Sequence, residues 1–320
     1  MGKVSQLHLK CPDPVEREPQ DDWPISRYVS LASFILHLKG KVFLPSIAKL
    51  RERKNDPFES EFPWRIPDFN QAMNDVYGKD VKKEIYRWLE TRMRDDERRQ
   101  IECNKSKADG GDFCARIYQC HYLRFIRNTR FAWCWFNQAR ESAAMWTIFG
   151  LDGVRIGSTV GKLKKALGEL NRDVEYRQMA YVDIPEGQGF YCNDQEVRLK
   201  PYFLKRKEYD HEKELRFVTT GPEMISSPGL IVELQPAEWI QEVSLSPNLN
   251  PEQVASLQSL IKGVLPKNDM KCEQSKLLKP PGNAWEAYPL ELCGNIEELN
   301  QTSWDSCDDG IPKPLKMIGS

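Results

Sequence analysis

WPISRYVSLASFILHLKGKVFLPSIAKLRERKNDPFES, running from Trp23 to Ser60, is the stretch that decides the fold. Ile25 to Ser30 reads as a short strand with a polar edge, and Leu31 to Lys39 has the spacing of an amphipathic helix. Lys41 to Pro45 reads as a second strand, and Asn55-Asp56-Pro57-Phe58-Glu59 as a turn. In that turn Phe58 is suited to plugging a core, while Asp56 and Glu59 stay open as residues of a cleft. Arg27 and Tyr28 sit on the first strand just before the helix. That edge is where β/α proteins commonly place groups that touch ligands.

Outward from this unit, the 320-residue chain is long enough for one large domain, or one domain with a subdomain. Charged residues make up 29% and apolar residues 40%, as in ordinary globular proteins. A formal net charge of -1 argues against a generally basic nucleic-acid binder. The start, MGKVSQLHLKCPDP, lacks the apolar core of a signal peptide. No run approaches the roughly 20 apolar residues that cross a bilayer. A cytoplasmic protein with no membrane partner is the expectation. The nine cysteines contain no C-x-x-C pair and read as reduced thiols. Cys103, Cys114, Cys120 and His121 match no zinc spacing, so no metal is expected.

Residues 1–22 read as a loose arm, residues 23–265 as a single α+β main domain, and residues 266–320 as an acidic extension suited to binding a partner or packing on the surface. Within the main domain a helical insertion is expected at about 67–128, where Val76, Ile85, Trp88, Leu89 and Met93 share one helix face. Further strands are expected at 131–136, 153–158, 174–183, 214–219, 229–234 and 242–246. Helices are expected at 140–149, 159–170 and 251–264, with Asn250 capping the last. Residues 198–207 read as a basic helix or loop. The alternation points to a mixed or split central sheet surrounded by helices.

Three places carry candidate chemistry: Arg27-Tyr28; the segment from Glu141 through Trp146 to Ser158-Thr159; and His211-Glu212-Lys213-Glu214-Leu215-Arg216. His211 is the only histidine beside several titratable groups, a candidate acid or base. Lys213 and Arg216 also suit a surface salt-bridge network around the glutamates. In the strand 131–136, alternation turns either Trp133 and Trp135, or Ala132, Cys134 and Phe136, toward a cleft.

The opening phrase, ESAAMWTIFGLDGVRIGST and YDHEKELRF resemble, in that order, a bacterial family known as domain of unknown function 2971, over Trp23 to Thr219. More loosely, Arg27, then Ser158-Thr159, then Glu212-x-Glu214 is similar to the arginine, serine-threonine, glutamate order of ADP-ribosyltransferases. That resemblance implies an NAD-consuming transferase or NAD glycohydrolase, with a protein or nucleic acid as acceptor and a role as a bacterial toxin or phage-defence effector. It implies Glu214 as the catalytic carboxylate with Glu212 as its partner. Arg27 becomes the NAD anchor, Ser158 and Thr159 orienting hydroxyls, and Tyr28 or Trp146 a stacking surface for nicotinamide. Two other readings stay open: a non-enzymatic binding or regulatory module, and a metal-dependent nuclease using Asp56, Glu59, Glu212 and Glu214.

Overall fold

The computed structural model describes residues 19–52, 69–104, 110–150, 152–170, 172–182, 199–221, 228–265 and 270–277. The chain divides into two compact units, residues 1–275 and 276–320. The turn at 55–59, the arm before residue 19 and the acidic stretch from 278 onward lie outside the described residues.

Ser30 closes the first strand, β1 (Pro24–Ser30), and caps the first helix, α1 (Leu31–Leu38), its hydroxyl accepting from the Ser33 amide at 3.3 Å. The helix stops at Gly40, whose φ of +77° is open to glycine at little cost, and the chain turns into β2 (Lys41–Pro45). A short α2 (Ile47–Glu52) follows, then the helical insertion α3 (Phe69–Arg92), α4 (Asp95–Asn104) and α5 (Gly110–Thr129). Next come β3 (Arg130–Phe136), a single turn α6 (Ala143–Met145), β4 (Gly153–Thr159) and α7 (Val160–Gly168). The expected strand at 174–183 is two strands, β5 (Val174–Gln178) and β6 (Ala180–Val182), that belong to different sheets. The basic stretch carries β7 (Leu204–Arg206), which pairs parallel with β6. The chain ends its fold with β8 (Glu214–Thr220), β9 (Gly229–Glu233), α8 (Pro236–Trp239), β10 (Glu242–Leu245), α9 (Pro251–Val264) and β11 (Lys271–Gln274).

The architecture is α+β, built on a mixed, open central sheet ordered β11-β10-β4-β1-β3-β8-β5 with helices around it. Only β10 and β11 run parallel within it, so the main unit continues past residue 265 to take in this edge strand. KCEQ carries little strand signal by itself; the backbone ladder of β10 is what holds it extended. Asn250 and Gln253 form a reciprocal capping box at the start of α9, as its sequence suggests.

One face of the sheet packs Ile25, Val29, Trp133, Trp135, Leu215 and Phe217 against α1, α7, α8 and α9. Trp133, Trp135 and Trp239 form an edge-to-face trio with centroids 5.1 to 6.0 Å apart. The tryptophans of the aromatic strand are therefore core, and alternation sends Ala132, Cys134 and Phe136 to the other face. On that face Ala132 and Val218 pack with Tyr122, Ile126 and Tyr202 under the helical insertion.

The sheet is loosest in its middle. β1 pairs with β4 along its whole length but meets β3 in a single register pair, Ser26 with Phe136. Beyond it, the start of β3 is bridged by Ser46 at Phe131. This local split between β1 and β3 positions the candidate site.

Candidate functional site

Where β1 leaves β3, a cleft of about 370 Å³ opens between the two halves of the sheet. Arg27, Tyr28 and Val29 come from β1, Ser30, Ser33, Leu36 and His37 from the start and body of α1, and Lys41 and Phe43 from β2. The opposite wall is Cys134, Phe136, Lys205, Glu212, Glu214 and Arg216. Arg27 reaches across the split, its guanidinium donating to the carbonyl oxygen of Cys134. Strand alternation explains the far wall: Glu214 and Arg216 share the face of β8 that Cys134 occupies on β3, in register with Phe136 and Cys134 respectively.

Glu214 is the electrostatic centre of that wall. Arg216 donates from Nε to Glu214 Oε1 at 2.7 Å and from Nη1 to the Tyr202 carbonyl at 2.7 Å. Lys205 lies between the two glutamates, 2.6 Å from Glu212 Oε2 and 3.3 Å from Glu214 Oε2. Burial works against the charge on Glu214, but Arg216 and then Lys205 outweigh it and lower its pKa to about 2. The same burial pushes the neighbouring Cys134 thiol up to about 12, so it is no nucleophile at neutral pH. This network is buried: Arg216 is 1% exposed and Glu214 2%. The surface salt-bridge expectation is corrected for Arg216, because β8 lies between β3 and β5 rather than at an edge; Lys213 is exposed and pairs with Asp210 at 4.0 Å on the surface, as expected.

Glu212 and Glu214 do not share one extended segment, as a Glu-x-Glu strand would have them. Glu212 ends a 3-10 turn (Lys207–Glu212), and Lys213 at φ +46°, ψ +47° breaks the backbone before β8 begins. This left-handed residue brings both carboxylates to the same ammonium. Holding a lysine there costs about 1 kcal/mol relative to glycine. Lys213→Gly is therefore expected to raise stability by up to about 1 kcal/mol in urea titrations, net of the glycine's unfolded-state entropy; a loss would mean the lysine side chain supplies compensating contacts.

The structure thus brings Arg27, Tyr28, Glu212 and Glu214 together, and it places the other expected site residues elsewhere. Ser158 is buried and donates from Oγ to the Trp239 carbonyl at 2.6 Å, in register with Ile25. Thr159 caps α7, its hydroxyl accepting from the Lys162 amide at 3.4 Å. Trp146 is buried against Tyr28, with ring centroids 4.9 Å apart, and its indole N–H donates to Glu141. His211 is exposed and lies 3.1 Å from the Glu208 carbonyl through Nδ1. Asp56 and Glu59 fall outside the described residues.

Sequence reasoning missed Lys205, His37, Ser30 and Ser33, and it misjudged Arg216. Ser30 and Ser33 had a signal, since a serine before an amphipathic run is a helix cap facing the end of β1. Lys205 had none beyond its place in a basic stretch. His37 is 5% exposed, edge-on to Trp239 at 5.6 Å. Burial first, and the Arg27 charge second, lower its pKa to about 3, so it is neutral at physiological pH. The lining then carries four cations, Arg27, Lys41, Lys205 and Arg216, against two carboxylates. Such a cleft attracts anions.

Among the described residues no three His, Cys, Asp or Glu side chains converge as a metal site, and no helix is long and apolar enough to cross a membrane. The two glutamates share an ammonium instead of presenting a joint cation site. No protein-family model matches the chain, and comparison with curated proteins and with solved structures finds no match.

Proposed function

We propose that this cleft binds NAD and cleaves its nicotinamide–ribose bond, passing ADP-ribose to water or to a protein or nucleic-acid acceptor. The observation that supports this reading best is the convergence of Arg27 with Glu212 and Glu214, from segments far apart in sequence, in one net-cationic cleft. Its volume lies toward the lower end for small-ligand sites and suits the nicotinamide–ribose end, with the remaining nucleotide toward solvent.

Cleavage sends the bonding electron pair to the nicotinamide nitrogen, which becomes neutral, and leaves C1′ with oxocarbenium character. A nucleophile then adds at C1′ and gives up its proton. A fixed carboxylate beside the ribose stabilises the developing cation. Glu212, the more exposed of the two glutamates, suits that role. Glu214, engaged by Arg216 and Lys205, suits holding those cations in place. Arg27 suits the role of holding phosphate oxygens by a forked contact. Tyr28, Phe43 and Phe136 supply aromatic surface. With Ser158 and Thr159 elsewhere, Ser30 and Ser33 are the hydroxyls that line the cleft.

The full engagement of Glu214 favours a second reading, an anion-binding module that performs no chemistry. One assay separates the two. Purified protein is mixed with NAD, with binding followed by calorimetry and nicotinamide release by chromatography. The enzyme reading expects release in the wild type, reduced about 10²–10³-fold in Glu212→Gln, and weaker NAD binding in Arg27→Ala. Binding with no release, with candidate acceptors present, supports the module. NAD that neither binds nor is cleaved removes the NAD reading altogether.

A further inference from the structure

β2 and β9 form a two-stranded antiparallel ribbon outside the central sheet. Its inner face is core, through Val42, Leu44 and Val232. Its outer face is unusual. Phe43 and Ile231 stand directly opposite each other on it, 37% and 63% exposed, and Ile231 is the most exposed large apolar side chain among the described residues. The Leu234 amide donates to the Gly40 carbonyl, which puts Phe43 and Ile231 in a non-hydrogen-bonded pair, where side chains lie closest. The next outward pair along the ribbon is Lys41 with Glu233, both exposed. Among the described residues these two opposite charges form no ion pair with each other, although they face across the ribbon.

We propose that this outer face is an interface with a second copy of the chain. A two-fold axis running along the strands, in the plane of contact, lays β2 of one protomer over β9 of the other at the same height. Phe43 then meets Ile231 of the second copy, and Lys41 meets its Glu233, each contact occurring twice. Both the apolar row and the charge row are complementary to themselves under that one operation, as an isologous interface requires. The packing is that of aligned sheets. A lone exposed isoleucine needs no explanation, but a paired apolar row flanked by a complementary charge pair does. The ribbon has only five residues in each strand, so the contact belongs among small, weak interfaces. Lys41 and Phe43 also line the cleft, so the second copy sits beside its mouth.

Sedimentation velocity on the full chain at about 100 µM, a concentration that populates weak complexes, tests this. The wild type is expected to be dimeric, and Ile231→Asp, an exposed position that the fold tolerates, monomeric. Lys41→Glu and Glu233→Lys alone are each expected to weaken the dimer roughly tenfold, and the double exchange to restore it. The two single variants are also expected to dimerise with each other when mixed, which a charge pair confined to one ribbon would not produce. A monomeric wild type, an Ile231→Asp protein that still dimerises, or a double exchange no better than the single ones would each overturn the proposal.

Discussion

Arg216→Met is expected to cost about 3–5 kcal/mol of folding stability, the usual loss when one partner of a buried ion pair is removed. The side chain is 1% exposed, and it holds both Glu214 and the Tyr202 carbonyl. Its removal leaves the buried carboxylate leaning on Lys205 and the Cys134 thiol, and that carbonyl loses a donor. Urea denaturation with matched slopes reads the loss directly. Adding Glu214→Gln to the same protein is expected to recover part of it, because the stranded charge is then gone. A single-variant loss below about 1 kcal/mol would mean that water reaches the site and solvates Glu214. The pH dependence carries a matching sign. Glu214 has its folded pKa lowered to about 2, so its contribution is fully present above its ordinary value and is lost as pH falls toward 2. In Arg216→Met that loss moves to higher pH.

His37 produces the second large effect, in a different pH window. Its folded pKa is lowered to about 3 from 6.5, and the unfolded chain takes up a proton first. Stability is therefore complete above about pH 6.5 and declines steadily as pH falls toward 3. The slope approaches about 1.4 kcal/mol per pH unit, or about 2 kcal/mol between pH 6.5 and 5. Most carboxylates do not titrate in that interval, so the signal stands apart from that of Glu214. A proton on His37 would enter a buried position beside Arg27, and Nδ1 has no hydrogen-bond acceptor among the described residues. His37→Phe, which keeps the aromatic contact with Trp239, is expected to flatten the decline between pH 6.5 and 5. Thermal melts of both proteins across that range check it; parallel curves would show that His37 is hydrated.

The elements of this fold were largely legible from periodicity, and the site only in part. The opening strand, helix and strand stand where Ile25 to Pro45 suggests, because apolar spacing and a serine cap act within a few residues. The same holds for α9, whose Asn250 and Gln253 cap each other locally. Strand order is a property of distant partners. Nothing in ELRFVT says that β8 lies between β3 and β5, and that placement alone converts Arg216 from a surface charge to a buried one. Ser158 lies away from the cleft for a related reason. It faces Trp239 because of the register with which β4 meets β1. The left-handed backbone at Lys213 had no signal either, since lysine gives no hint of a positive φ.

The single register pair between β1 and β3 also bears on how the chain comes to be folded. β1 is made first, yet it sits in the interior of the sheet, and both its neighbours lie beyond the whole helical insertion. Until residues 130–136 and 153–159 emerge, a nascent chain holds β1 with two bare edges. Closing such long loops is slow, and unpaired edges are where nascent chains associate wrongly. α1 and the Ser30 cap are complete at that stage, so among the described elements the helix beside Arg27 is the first able to order itself.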